Sequence, residues 1–129
     1  MTQEEKQLLL KDLCARLPYG VKIHINSYVE EQNQMQLFDV NLEGETIGVG
    51  NEKWAFRAIP IIDDEDETKV IKPYLRPMSS ITVKERKELS NYENSVQRTD
   101  FFYSHHIDCR FMIEEGLALE APEGMYGKI

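Results

Sequence analysis

Residues 35–50 read MQLFDVNLEGETIGVG, and this stretch decides the class of fold that we expect. Residues 35–42 have the composition of a β-strand, and residues 45–50 have the same character. Glu43 and Gly44 lie between the two runs and have the composition of a hairpin turn. The stretch therefore predicts two antiparallel strands, because only antiparallel neighbours can be joined by so short a turn.

Further strands are predicted on both sides of this hairpin. VKIHIN at 21–26 alternates apolar and polar residues, which indicates a strand with one face in solvent and puts His24 on that polar face. KWAFRAIPII at 53–62 is a strongly apolar strand, and TKVIKPYLRP at 68–77 is extended, with two prolines that limit its hydrogen bonding. We therefore expect a mostly antiparallel sheet of about four or five strands.

Helices are predicted on both sides of the sheet in the chain. Thr2 and Glu5 have the spacing of a capping box, which predicts a helix over about 3–17 whose apolar stripe includes Cys14. Thr82 and Glu85 repeat that spacing and predict a second helix over about 83–96.

Two short helices and a final extended stretch are predicted after the second helix. The short helices, over about 101–106 and 109–115, would be joined at Ile107 and Asp108, with Asp108 as the N-cap. LALEAP at 117–122 is a short strand or an extended tail. Because the strands run together before the later helices, the prediction is an α+β fold in a single domain, residues 1–129.

The charge of the chain excludes two classes of partner. The 129 residues include 23 acidic and 15 basic side chains, for a formal net charge of −8. That balance opposes binding to nucleic acid phosphates and to anionic membranes. No apolar run approaches the ~20 residues that span a bilayer. Two cysteines are too few for a disulfide framework, so we expect reduced thiols and a cytoplasmic protein.

YSHHIDCR at 103–110 is the stretch that most resembles a reactive site. As a zinc site it lacks ligands, because Cys14 and His24 lie on elements that are not expected to converge with it. As a nucleophile and base, Cys109 and a neighbouring histidine would be unusual, since such partners normally come from distant elements. A structural role accounts for every residue, with Asp108 as a helix cap. We therefore predict no metal site, no cofactor and no catalytic residue.

The acidic run DDEDE at 63–67 does not change that prediction. Consecutive acidic residues can suggest calcium, but an EF-hand loop needs a glycine at its sixth position, where this chain has Thr68. The run is expected to be a solvated loop between two strands.

Two long motifs carry a resemblance to a known group of proteins. These are IKPYLRPMSSIT at 71–82 and HHIDCRFMIEEGLALEAPEGMY at 105–126, together with the N-terminal MTQEEKQLLLKDLCARLPYGV at 1–21. The chain resembles short uncharacterised proteins of gut Bacteroidales that are often found in prophage-like or mobile regions. The resemblance implies no known activity. The chain departs from the group's pattern at Cys109, where the pattern has tyrosine, and at Phe111, where it has glycine.

The function that we expect is that of a non-enzymatic interaction or accessory protein of a mobile element, which binds a protein partner or forms a homodimer. Large aromatic and arginine side chains often anchor interfaces, and those predicted to do so here are Trp54, Phe56, Tyr74 and Arg76. One alternative is a small enzyme with a cleft near His105, His106 and Asp108. Another is an acidic mimic of nucleic acid.

Overall fold

The computed structural model describes residues 2–25, 35–51, 55–61 and 71–126. Trp54 and the acidic run at 63–67 lie outside these ranges. Within the described residues there are nine helices and strands and two single 3-10 turns, Leu17–Tyr19 and Met78–Ser80. In chain order these are α1 (Gln3–Arg16), β1 (Lys22–Ile25), β2 (Met35–Asn41), β3 (Thr46–Gly50), β4 (Ala55–Pro60), β5 (Ile71–Leu75), α2 (Val83–Ser90), α3 (Ser95–Ser104) and β6 (Leu119–Glu120).

The described strands form one sheet in the order β4-β3-β2-β1-β5-β6. Neighbours are antiparallel except for β5 and β6, which are parallel. The predicted hairpin is β2 and β3, with Asn41 opposite Thr46. The α+β class is confirmed, and the sheet has more strands than predicted because β6 joins its edge. The N–H of Ala121 donates to the carbonyl oxygen of Leu75 at 2.8 Å, which holds this two-residue strand in place.

The core lies between α1 and one face of the sheet. Leu9, Leu10 and Leu13 of α1 are fully or almost fully buried against apolar side chains of the strands. Burial of each such side chain stabilises the fold by ~1.5–3 kcal/mol. Cys14 is exposed, so its predicted place on the apolar stripe is wrong. At ~100° per residue, Cys14 lies ~40° beyond Leu10, just outside the arc that the buried Leu9, Leu10 and Leu13 cover.

The predicted helix over 83–96 is two helices in the structure. α2 ends at Ser90, and the side chain of Asn94 accepts a hydrogen bond from the N–H of Gln97 at 2.8 Å, which caps α3. Asparagine competes for backbone hydrogen bonds and favours helix ends. The helices predicted over 101–106 and 109–115 are also wrong: α3 runs through to Ser104, and turns follow over 109–116.

Candidate functional site

Residues 105–108 continue the edge of the sheet beside β5. The N–H of Arg76 donates to the carbonyl oxygen of His106 at 2.7 Å, and the N–H of Asp108 donates to that of Arg76 at 2.8 Å. Arg76 and Ile107 therefore form a parallel bridge beyond the end of β5. This pairing fixes the backbone that carries His105 and His106.

A buried ion pair on α1 holds the same segment from the other side. Arg16 is fully buried, and its Nε donates to Oδ2 of Asp12 at 2.7 Å. Its Nη2 donates to the carbonyl oxygen of Ile107 at 2.8 Å. The guanidinium also lies over the ring of Tyr103, with its carbon 5.0 Å from the ring centroid. Arg16 thus ties α1 to the histidine segment.

Asp108 organises the chain after the histidines and does not line a cleft. It is 3 % exposed, and its carboxylate accepts the N–H groups of Met112 at 2.8 Å and Ile113 at 2.9 Å. Asp108 accepts backbone N–H groups, as a helix cap does. It is not the predicted helix cap, however, because the donors lie four and five residues further along the chain and belong to turns. The Asp108 carboxylate binds backbone N–H groups, so its contacts do not support a reactive cluster of Asp108 with the two histidines.

The two histidines do line a cleft, which has a volume of about 320 Å³. It lies where the end of β5, the first turns of α2, the end of α3 and the C-terminal turn meet. Its walls are formed by Arg76, Thr82, Lys84, Glu85, Glu88, Ser104, His105, His106 and Tyr126.

Arg76 and Glu85 form the charged floor of this cleft, and each is saturated by fixed protein groups. The guanidinium donates twice to the Glu85 carboxylate, from Nη2 at 2.7 Å and from Nη1 at 2.9 Å. Its other donors bind Ser80 Oγ, the Ser80 carbonyl oxygen and the His105 carbonyl oxygen. A guanidinium has five N–H donors, so none is left for a ligand.

The Glu85 carboxylate oxygens are also occupied by hydrogen bonds from fixed protein groups. Besides Arg76, it accepts the N–H of Thr82 at 3.0 Å, and His105 Nδ1 lies 3.1 Å from its Oε2. The hydrogen bonds from Arg76, partly offset by burial, lower the pKa of Glu85 to about 2. The carboxylate is ionised at neutral pH and can only accept, so Nδ1 of His105 must carry the proton. In the uncharged ring, the lone pair is then on Nε2.

His106 has the opposite character. It has a positive φ of 60°, which is costly for a residue with a Cβ, and its ring stacks on Tyr126 with centroids 3.8 Å apart. Burial, and then the nearby cations of Arg16 and Arg76, lower its pKa to about 4, so the ring is uncharged at neutral pH. Its Nδ1 has no hydrogen-bond partner among the described residues. Tyr126 is fixed in turn, because its hydroxyl donates to the Tyr74 carbonyl oxygen and accepts the N–H of Lys22.

Of the residues predicted for an interface, Phe56, Tyr74 and Arg76 lie in the described ranges, and none of these three side chains is exposed. Phe56 is partly buried and packs against the core, and Tyr74 is half-buried on the other sheet face, with its hydroxyl 3.1 Å from His24 Nδ1. Arg76 is only 6 % exposed, and its guanidinium donates hydrogen bonds to the Glu85 carboxylate. Cys109 is half-buried, and burial raises the pKa of its thiol, which opposes a role as a nucleophile.

Sequence reasoning missed the parts of the site that depend on distant contacts. Glu85 was predicted as half of a capping box, a role that the structure also gives it, and as part of a solvated helix face, which is wrong because it is 6 % exposed. Its second role, as partner of Arg76 and His105, had no local signal. Tyr126 and Arg16 were not singled out, although an arginine inside an apolar helix stripe indicates a buried ion pair.

No family model, curated protein or solved structure is found to match the chain. Among the residues that the structure describes, no group of three or more histidine, cysteine or acidic side chains could hold a metal ion. Within the same ranges, no helix has the length and apolar character to cross a membrane.

Proposed function

We propose that the protein is a non-enzymatic interaction protein that recognises a partner through the cleft beside His105 and His106. One observation supports this above the others. The strongest charges of the cleft, on Arg76 and Glu85, are saturated by each other and by fixed neighbours. Such a pair maintains shape, because any reaction that used it would leave a buried charge without its partner.

The arrangement of the walls is also suited to recognition. The groups left for a partner include the Lys84 ammonium, one oxygen of Glu88, the Nε2 of His105 and the His106–Tyr126 ring pair. Convergent polar groups on a preformed concave surface give specificity in binding sites. This proposal places recognition at the cleft, and the predicted anchors Phe56 and Tyr74 lie outside its walls.

The resemblance to short proteins of mobile regions in gut Bacteroidales supports an accessory role in such an element. A cytoplasmic location is part of the proposal, supported by Cys14 and Cys109, which are both free thiols.

The test is affinity capture with the intact chain and two matched variants, followed by light scattering of the purified protein. His106→Gln changes the wall of the cleft, and His24→Gln makes the same replacement on the far sheet face. The proposal expects a partner, or a second copy, that is lost with His106→Gln and retained with His24→Gln. A monomer that captures nothing would contradict it, and so would a partner that both variants lose equally.

Acid–base catalysis is a second candidate function, favoured by the Glu85–His105 contact. A carboxylate that holds Nδ1–H leaves Nε2 as a proton acceptor, which is the arrangement that orients a catalytic histidine. Asp108 has no part in it, since backbone donors occupy its carboxylate. Incubation with the captured partner or copurified small molecules would test it: turnover that His105→Gln abolishes supports catalysis, and unchanged material contradicts it.

A further inference from the structure

We infer that the cleft receives a primary alkylammonium group, and specifically the side chain of a lysine on a basic partner protein. This inference rests on the proposed use of the cleft for recognition and names the chemistry of the group recognised. It follows from which atoms of the walls remain able to accept or donate hydrogen bonds.

The first support is the direction of the His105 ring. Glu85 holds its Nδ1–H, so the uncharged ring offers a lone pair at Nε2 to a ligand that donates. One face of the His105 ring stacks on the Phe101 ring, with the centroids 4.2 Å apart, and this contact fixes the plane of the imidazole. A ligand at this nitrogen must therefore bring its own N–H or O–H.

The second support is the carboxylate of Glu88 on the same wall. Its Oε1 accepts the Tyr92 hydroxyl at 3.0 Å, and Oε2 remains for a ligand. An imidazole lone pair and a carboxylate oxygen together suit a group with several N–H donors and a positive charge. A lysine ammonium has three such donors.

The third support is that the buried arginines near the cleft are paired with carboxylates, which reduces their repulsion of an ammonium ligand. Arg76 is paired with Glu85, and Arg16 with Asp12, whose other oxygen also lies 3.4 Å from Nε of Arg110. His106 is uncharged, and its ring with Tyr126 offers an apolar wall for an alkyl chain. Lys84 also lines the cleft, but its side chain is exposed and no described residue fixes it.

The charge of the whole chain agrees with a basic partner. With a formal net charge of −8, the protein attracts cationic surfaces over distances longer than the cleft itself. Complementary charge of this kind increases the rate of association and discriminates against acidic partners.

The test is an NMR titration of the intact, isotope-labelled protein with n-butylammonium and with tetramethylammonium at equal ionic strength. Both are monovalent cations, but only butylammonium has N–H donors. The inference expects saturable shifts of the His105 ring resonances with butylammonium and none with tetramethylammonium. Equal responses to both ions, or no saturable response to butylammonium, would overturn it.

Charge variants on α2 and just beyond it sharpen the result. Glu88→Gln should weaken butylammonium binding roughly threefold to fivefold, as expected for an exposed ion pair. Lys84→Gln should strengthen it, because a like charge is removed. Glu93→Gln gives the same change in net charge as Glu88→Gln outside the cleft and should leave the affinity unchanged. Equal effects of the two glutamate variants would show that only the overall charge is felt, which contradicts the assignment.

A peptide comparison identifies the source of the ammonium. A tripeptide with a central lysine should compete with butylammonium, and its norleucine analogue should not. Binding of butylammonium without the lysine peptide would overturn the partner side chain in favour of a free amine. Partner capture in the absence of any ammonium binding would overturn this inference and leave the proposed function standing. Ammonium binding by a chain that captures no partner would overturn the proposed function and, with it, the partner lysine, and would leave only a site for a free amine.

Discussion

Replacement of Asp108 by alanine should cost far more than the loss of an ordinary helix cap. The carboxylate holds two backbone N–H groups, those of Met112 and Ile113, and the first of these bonds is buried. A buried donor left without a partner costs ~1–3 kcal/mol, and the half-exposed second bond contributes ~0.5–1.5 kcal/mol. We therefore expect a loss of about 1.5–4.5 kcal/mol in the free energy of unfolding, against about 1 kcal/mol for an exposed cap.

Urea denaturation followed by circular dichroism measures this difference by linear extrapolation. Asp108→Asn is the matched control, because its amide retains one carbonyl oxygen and can accept one of the two N–H groups. The free energy of unfolding of Asp108→Asn should lie between that of the wild type and that of Asp108→Ala. A loss below about 1 kcal/mol for Asp108→Ala would refute the reasoning, since it would mean that the two donors find other partners.

Further predictions concern Glu85, Phe111 and the two cysteines. The pKa of Glu85 is lowered from 4.5 to about 2 in the folded protein, so its contribution to stability is present above pH 4.5 and is lost as the pH falls towards 2. Near neutrality, Glu85→Gln should therefore lower the free energy of unfolding by roughly 3 kcal/mol. In acid denaturation curves, this difference between wild type and variant should disappear between pH 4.5 and pH 2. Phe111 has a φ of 59° and is 52 % exposed, so Phe111→Gly should unfold at higher temperature than Phe111→Ala, and equal midpoints would contradict this source of strain. Iodoacetamide should modify the exposed Cys14 before the half-buried Cys109, and Cys109→Ser should leave partner capture unchanged.

The fold could be predicted from the sequence where the signal is local. The hairpin of β2 and β3 follows from composition and a short turn, and the capping boxes at Thr2 and Thr82 correctly mark the starts of α1 and α2. The break between α2 and α3 was missed because a single helix was predicted over about 83–96, whereas Val96 belongs to α3 and is 75 % exposed. The signal for the break is the asparagine at position 94, whose side chain caps α3 and which the periodic pattern does not weigh.

The candidate site was predictable only in part. YSHHIDCR was identified as unusual, and the role of Asp108 in holding backbone groups was anticipated. The different surroundings of the two histidines were not. His105 meets Glu85, twenty residues earlier, and His106 meets Tyr126, twenty residues later. No spacing rule connects positions so far apart, because the contacts arise from the way in which β5, α2 and the C-terminal turn pack around residues 105–108.

Side-chain nitrogen NMR of the two histidines between pH 3 and pH 8 tests the central claim about the cleft most directly. The geometry predicts that uncharged His105 has its proton on Nδ1, with the lone pair on Nε2 available to a ligand. It predicts also that His106 remains uncharged until the pH falls to about 4, which is its lowered pKa. A proton on Nε2 of uncharged His105, or a His106 that titrates near the ordinary value of 6.5, would contradict this description of the site.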